Sequence, residues 1–239
     1  MIKTYPDFDT MSRAAADLIL GQVKNKPNSL ICFPSGESPA GVFKYLVADA
    51  KAGKVNFDEC YFVGLDEWVG LDKDDDGSCT RFLREHFFEP AGIAASKIHF
   101  FDAKAADLDN ECDKMNTFIM QHGPLDIMMV GIGMNGHIGL NEPGTDFNLY
   151  AHYAPLAETT ITVGQKYFTK PTILSKGITL GLKHLQEAKL PLLIAAGTKK
   201  AGIISQSLKE PIGTQVPASI FQTLPNGLVL LDEEAASEL

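Results

Sequence analysis

The chain has 239 residues, of which 45% are hydrophobic and 21% charged, a composition ordinary for a globular protein with one large core. Its formal net charge of −9, with no basic cluster beyond Lys199-Lys200, argues against a nucleic-acid binder or an anionic-membrane binder. Four scattered cysteines lack CxxC spacing, so a metal or redox motif is not indicated. No export signal or apolar run of spanning length is legible, and we expect free thiols in the cytoplasm.

The first half of the chain predicts helices that alternate with short apolar strands. Apolar residues at helical spacing indicate the helices, and short apolar runs indicate the strands. The predicted elements are a helix over 8–24, a strand over 28–33, a helix through 42–46, a strand over 59–65, a helix over 80–88, a strand over 98–101, a helix over 108–122 and a strand over 127–130.

The second half continues the alternation, with strands predicted over 158–163, 177–182, 190–195 and 228–231, and helices over 182–188 and 199–208. Strands alternating with helices predict an α/β fold, a Rossmann-like three-layer sandwich with a mainly parallel sheet and helices on both faces. No linker or internal repeat divides the chain, so we expect a single domain over 1–239.

The most informative segment is 131–144, which reads GIGMNGHIGLNEPG and follows the apolar run 127–130. Dense glycine excludes a regular helix and lets the backbone approach a ligand closely. A buried strand that ends in such a loop is where an open α/β sheet usually places its chemistry. His137 and Glu142 are therefore either an imidazole oriented by a carboxylate, or a histidine that satisfies loop carbonyls.

Four further places in the sequence carry two or more interpretations each. The segment 34–41, PSGESPAG, is an anion site at a helix N-terminus or a plain turn with Ser38 as N-cap. Asp66 follows a buried strand and is either a general base or part of a helix cap or surface turn. Lys166 and Lys200 are phosphate ligands or mobile surface cations. Cys79, after an acidic loop, is expected to be exposed.

Four blocks in this order, PSGESPAG, VGLDEWVGL, GIGMNGHIGLNEPG and GITLGL, resemble the glucosamine-6-phosphate deaminase/isomerase family, with features of its galactosamine-6-phosphate isomerase branch. The resemblance covers nearly the whole chain. It implies aldose–ketose isomerisation of a 2-amino-2-deoxyhexose 6-phosphate with loss of ammonia, with a small sugar phosphate as partner and no metal or other cofactor.

The resemblance assigns catalytic positions residue by residue. Asp66 matches the base that moves a proton between carbon 2 and carbon 1 of the opened sugar. His137 matches the residue that opens the pyranose ring, and Glu142 matches its orienting carboxylate. Asn135 stands where some relatives have aspartate; an asparagine can hydrogen-bond the imidazole but brings no charge.

The phosphate and substrate positions include one departure from the family pattern. A carboxylate at Glu37 would repel a phosphate dianion, so it either points to solvent or reads a substrate hydroxyl or amine. Lys166 stands where many relatives have arginine. The positions implied are Ser35, Gly36, Glu37, Ser38, Gly133, Lys166 and Lys200.

Two other functions share features with this pattern. A lactonase of the 6-phosphogluconolactonase type shares the fold and the glycine–histidine block, but those enzymes resemble GDGHTASLFPG there, whereas this chain supplies Glu142. A sugar-phosphate sensor usually carries an N-terminal helix-turn-helix, while this α/β pattern begins at once. A homo-oligomer stays open, because family members range from monomers to hexamers.

Overall fold

The computed structural model describes residues 1–239, which contain ten strands. In chain order they are β1 (Ile2–Tyr5), β2 (Leu30–Phe33), β3 (Tyr61–Gly64), β4 (Asp66–Trp68), β5 (Ile98–His99), β6 (Ile127–Val130), β7 (His152–Pro155), β8 (Lys176–Thr179), β9 (Pro191–Ala195) and β10 (Leu228–Asp232).

Seven α-helices connect these strands. They are α1 (Phe8–Asn25), α2 (Glu37–Lys51), α3 (Cys79–Leu83), α4 (Leu108–His122), α5 (Glu158–Gly164), α6 (Leu182–Glu187) and α7 (Ala201–Lys209). A π-helical turn, Arg84–Phe88, extends α3, and 3₁₀ turns lie at Ala95–Lys97, Gln165–Tyr167, Thr198–Lys200 and Pro217–Gln222. None of the helices is both long and apolar enough to cross a membrane.

The main sheet has the strand order β1-β10-β9-β6-β2-β3-β5, and every pairing in it is parallel. Successive side chains of a strand point to opposite faces. Accordingly Ile127 and Met129 of β6 join the core under α1 and α2, whereas Met128 and Val130 join the core under α4, α6 and α7. Both faces are covered, which explains the unbroken apolar runs and confirms the predicted fold class.

The strand order reverses between β2 and β6. From β2 the chain moves outward through β3 to β5, then returns to the other side of β2 and continues outward through β9 to β10. Connections that leave two neighbouring strands in opposite directions open a crevice at the carboxyl ends of those strands. The loops after β2 and β6, which carry most of the predicted site residues, border this crevice.

A second sheet with antiparallel pairing, β4-β8-β7, stands beside the main one. The sequence does not predict it as a sheet. Its strands are short, and β7 ends in Pro155, a residue that weakens a strand signal. It matters for the site because Asp66 is the first residue of β4 and pairs with Thr179 of β8.

Two expectations about local structure are wrong. The segment 158–163 is helical, as α5, and not a strand. Its β-branched run, ETTITV, favours a strand by propensity, but Thr160 and Gly164 are buried at helical spacing, so packing overrides propensity. Cys79 is buried rather than exposed, because it opens α3 beneath the crevice.

Candidate active site

A cleft of about 900 Å³ opens at the carboxyl ends of the parallel strands. It collects residues from the loops after β2, β3, β6 and β9, and from the segment that runs from α5 to Tyr167. Of the predicted site residues, the cleft is lined by Ser35, Gly36, Glu37, Ser38, Asp66, Gly133, His137, Lys166 and Lys200. Asn135 and Glu142 contribute no lining surface; they lie behind His137.

Asp66 enters the cleft at the point where β3 ends and the chain crosses to the second sheet. Its Oδ1 atom is buried and has no hydrogen-bond partner. Burial raises the pKa of Asp66 to about 7, the neighbouring Glu67 carboxylate adds to this shift, and the Cys79 thiol opposes it. A carboxylate that lines the cleft and has a pKa close to neutral is suited to act as a general base.

Glu67, to which no sequence pattern assigns a role, links β4 to the start of α3 below the cleft. Its buried carboxylate accepts hydrogen bonds from the Ser78 hydroxyl at 2.7 Å, the Cys79 N–H at 3.0 Å and the Thr80 N–H at 2.9 Å. These donors belong to the start of α3, where a negative charge is favoured. Nothing in the pattern DEW distinguishes this carboxylate from a surface one.

His137 lies over the backbone of Gly133. A Cβ atom added at Gly133 would stand 2.2 Å from Nε2 of the imidazole, so this position tolerates no side chain while the ring keeps its place. The Gly133 N–H also donates to the His137 carbonyl at 2.9 Å, which closes the loop around the ring. The missing side chain at Gly133 thus lets the imidazole lie against the backbone, whereas the expected close approach of this loop to a ligand stays a prediction.

The other ring nitrogen, Nδ1, faces away from Gly133 toward two oxygen atoms. Glu142 Oε2 lies at 3.5 Å and the Thr160 hydroxyl at 3.1 Å. Burial alone would raise the pKa of Glu142, but hydrogen bonds and charge from His137, with Thr160 and Asn135, hold it below its usual range. Glu142 is therefore an ionised carboxylate behind the imidazole.

Asn135 does not bond the imidazole, contrary to expectation. Its amide nitrogen donates to Glu142 Oε2 at 2.9 Å, and its amide oxygen accepts the His137 backbone N–H at 3.2 Å. The Asn135 amide thus joins the Glu142 carboxylate to the backbone of the loop that carries His137.

The start of α2 forms the far end of the cleft. Gly36, and not Ser38, is the N-cap residue, with φ at 112°, a value that favours glycine. No side chain caps the helix, so the free N–H groups of its first turn stay available. Ser35 and Ser38 add hydroxyls beside them. A helix N-terminus of this kind binds anions.

Two lysines complete this end. Lys200 Nζ donates to the Ile132 carbonyl at 2.6 Å, and burial, with the nearby Lys166 charge, lowers the Lys200 pKa. Lys166 Nζ donates to Glu37 at 2.7 Å across the cleft. Although burial works against it, the Glu37 carboxylate raises the Lys166 pKa. Glu37 is thus exposed, as in the first of the two arrangements expected for it, and it is also paired with a cation.

Fold and site together define a Rossmann-like α/β protein whose polar cleft lies at the switch point of a parallel sheet. The chain belongs to the glucosamine-6-phosphate isomerase/6-phosphogluconolactonase family, whose model matches residues 6–229. The family assignment made from the four sequence blocks is confirmed.

Individual relatives agree with this assignment. A glucosamine-6-phosphate deaminase of Thermoanaerobacter pseudethanolicus is 34% identical over 232 residues, which cover 97% of this chain and 92% of the relative. The Clostridium acetobutylicum deaminase is 34% identical over 239 residues, covering 100% of this chain and 99% of that one.

Among solved structures, one described as a monomeric glucosamine-6-phosphate deaminase superposes with a TM-score of 0.96 at 30% identity and covers 100% of this chain and 99% of that one. A 6-phosphogluconolactonase from Trypanosoma brucei shares the fold at a TM-score of 0.80 and 16% identity, over 100% of this chain and 98% of that one.

Proposed function

We propose that this protein is an amino sugar phosphate deaminase/isomerase. It converts glucosamine-6-phosphate, or its galactosamine epimer, to the ketohexose 6-phosphate and ammonia. The observation that carries the proposal is that the Asp66 carboxylate and the His137 imidazole, with Glu142 behind it, face one cleft whose far end is built for an anion. The names of the full-length relatives support the same reaction.

The phosphate is held at the start of α2. The free N–H groups of that helix, the hydroxyls of Ser35 and Ser38, and the ammonium groups of Lys166 and Lys200 supply donors and positive charge. An anchored phosphate fixes the sugar so that its carbon 1 and carbon 2 lie over Asp66 and His137. Holding the reacting atoms in place in this way lowers the entropic part of the barrier.

Ring opening is the task of His137. With Nδ1 engaged by Thr160 and Glu142, Nε2 is the nitrogen on the side of Gly133 and the cleft. It takes the proton of the hydroxyl on carbon 1 and returns a proton to the ring oxygen, so the bond between carbon 1 and that oxygen breaks and an aldehyde forms. Glu142 stabilises the imidazolium that exists between the two transfers.

Isomerisation is the task of Asp66. The Asp66 carboxylate removes the proton from carbon 2, and the electron pair left behind forms a double bond between carbon 2 and carbon 1. The carbonyl π pair moves to the oxygen on carbon 1, which takes a proton from the ammonium group on carbon 2, so an enolamine forms. Return of a proton to carbon 1 gives an iminium at carbon 2. Water then adds to carbon 2, ammonia leaves, and the products are the ketose phosphate and ammonia.

Glu37 is proposed to be the counter-ion of Lys166 before substrate binds. It neutralises Lys166 until a phosphate dianion replaces it. Because both side chains are exposed, the pair is worth only about 0–1 kcal/mol, so the substrate can displace it. We further propose that the chain works in a reducing compartment such as the cytoplasm, which its four free, buried cysteines support.

The test is one panel of three substrates: glucosamine-6-phosphate, galactosamine-6-phosphate and 6-phosphogluconolactone. Ammonia release is followed by a coupled assay and lactone loss by acid production. We expect ammonia from at least one amino sugar, absent in Asp66→Asn, and no lactone hydrolysis above the spontaneous rate. Lactone hydrolysis without ammonia would favour the lactonase alternative, and sugar phosphate binding without either product would favour a sensor.

A further inference from the structure

Thr160 is a buried hydroxyl residue in the middle of α5, beside the catalytic imidazole. Only 4% of it is exposed, whereas Thr159 and Thr162 on the same helix are exposed. Its Oγ1 lies 3.1 Å from Nδ1 of His137, although the two residues belong to different segments of the chain. The β-branched run around it predicts a strand and hides this role.

The hydroxyl of Thr160 is closer to Nδ1 of the imidazole than the carboxylate is. Glu142 Oε2 stands 3.5 Å from Nδ1, long for a hydrogen bond, and this same oxygen accepts the Asn135 amide at 2.9 Å. The other carboxylate oxygen, Oε1, is buried and has no partner. The carboxylate thus supplies charge near the ring without being its best hydrogen-bond acceptor.

A hydroxyl can accept one hydrogen bond and donate another at the same time. Thr160 can therefore accept from N–H at Nδ1 of His137 and donate to Glu142, whose pKa a hydrogen bond from Thr160 helps to lower. Glu142 alone would attract the ring by its charge, which does not fix the ring's orientation. The hydrogen bond between Thr160 and Nδ1 does fix the orientation of the imidazole.

We propose that Thr160 is a positioning residue, whose hydroxyl bridges His137 Nδ1 and the Glu142 carboxylate. The bridge keeps the proton of the neutral ring on Nδ1 and leaves Nε2 bare toward the cleft. Its value for ring opening rests on the proposed function; its effect on the imidazole does not.

The bridge also ties the imidazole to the helix that leads to the phosphate end of the cleft. From Thr160 the helix continues to Gly164, which packs against Trp68, and then into the turn Gln165–Tyr167 that carries Lys166. One continuous segment thus supplies both the hydroxyl for His137 and a cation for the phosphate.

The test compares Thr160→Val, which removes the hydroxyl at constant shape, with Thr160→Ser, which keeps it. Thr160→Ala repeats the deletion without the added methyl group, and Ile161→Val controls for packing changes in α5. The first readout is the set of ¹⁵N chemical shifts of the His137 ring in the protein without substrate, at a pH where the ring is neutral. The second is kcat and KM for the amino sugar phosphate.

We expect wild type, Thr160→Ser and Ile161→Val to show one tautomer with the proton on Nδ1. Thr160→Val and Thr160→Ala should show a mixture. Their kcat should fall roughly tenfold to a hundredfold, with KM changed by less than about twofold, because ring orientation affects proton transfer and not phosphate binding.

A Nδ1–H tautomer that persists in both deletion variants would overturn the proposal. So would a loss of kcat that serine fails to restore, a rise in KM at constant kcat, or a tautomer change without a fall in kcat. If the wild type releases no ammonia from any amino sugar phosphate, the proposed function fails, and the tautomer measurement still decides whether Thr160 positions the ring.

Discussion

The raised pKa of Asp66 predicts that the wild-type carboxylate destabilises the fold at high pH. In the folded chain the carboxyl holds its proton up to a pKa of about 7, whereas its ordinary value is 3.8. Between these values the folded state binds more protons than the unfolded state, so stability falls as pH rises and levels off above about 7. Asp66→Asn has no such proton to lose.

The difference in unfolding free energy between Asp66→Asn and wild type should therefore grow with pH. From pH 5 to the folded pKa is about two pH units, and at about 1.4 kcal/mol each the variant should gain at most about 3 kcal/mol over wild type between pH 5 and pH 9. Any pH-independent effect of the amide cancels in this comparison.

Urea unfolding followed by the fluorescence of the single tryptophan, buried Trp68, measures both proteins at pH 5, 7 and 9. The exposed carboxylate variant Asp113→Asn serves as control and should show no growth with pH. A difference that stays constant, or that is larger at pH 5 than at pH 9, would refute the reasoning. If Asp66 is the base, as proposed, the same substitution should also abolish ammonia release.

Three further substitutions test other parts of the site. Gly133→Ala places a Cβ 2.2 Å from the His137 ring, so kcat should fall by at least about a hundredfold while circular dichroism stays native; wild-type kcat would contradict the close approach. Glu37→Gln frees Lys166 and should lower KM roughly twofold to fivefold, whereas a higher KM would mean that Glu37 contacts substrate. Glu67→Gln turns an amide toward the N–H groups of α3 and should lower the unfolding free energy by about 1–3 kcal/mol in urea titrations. It should also move the acid limb of the pH–rate profile to lower pH, because the Glu67 charge raises the Asp66 pKa; a limb at higher pH would refute this.

The parallel core of the fold follows from sequence patterns because each strand is buried on both faces. The apolar run 127–130 coincides with β6, and the predicted helix 108–122 coincides with α4. The edge strand β1 and the antiparallel strands β4 and β7 carry no such signal, since each is short and partly exposed. The segment that forms α5 has β-branched residues whose propensity predicts a strand. It is helical because contacts with distant segments determine where these residues lie.

The candidate site likewise contains residues that sequence patterns predict and residues that they do not. Sequence patterns locate Asp66, His137 and Glu142 because titratable residues follow strand ends or lie among glycines. They do not locate Glu67, whose partners are backbone groups of α3, or Thr160, whose partner lies on another segment. Such roles depend on which atoms meet in three dimensions, and a single sequence carries no mark of them.

The most direct measurement of the central claim is the fate of the carbon 2 proton. Amino sugar phosphate is converted in D₂O, and the ketohexose 6-phosphate is examined by NMR for deuterium at carbon 1. Wild type should release one ammonia for each ketose and place deuterium at carbon 1, because the proton on Asp66 exchanges with solvent before its return. Asp66→Asn should bind the sugar phosphate and give neither product nor label. Labelled product from Asp66→Asn at the wild-type rate would contradict the assignment of Asp66 as the base.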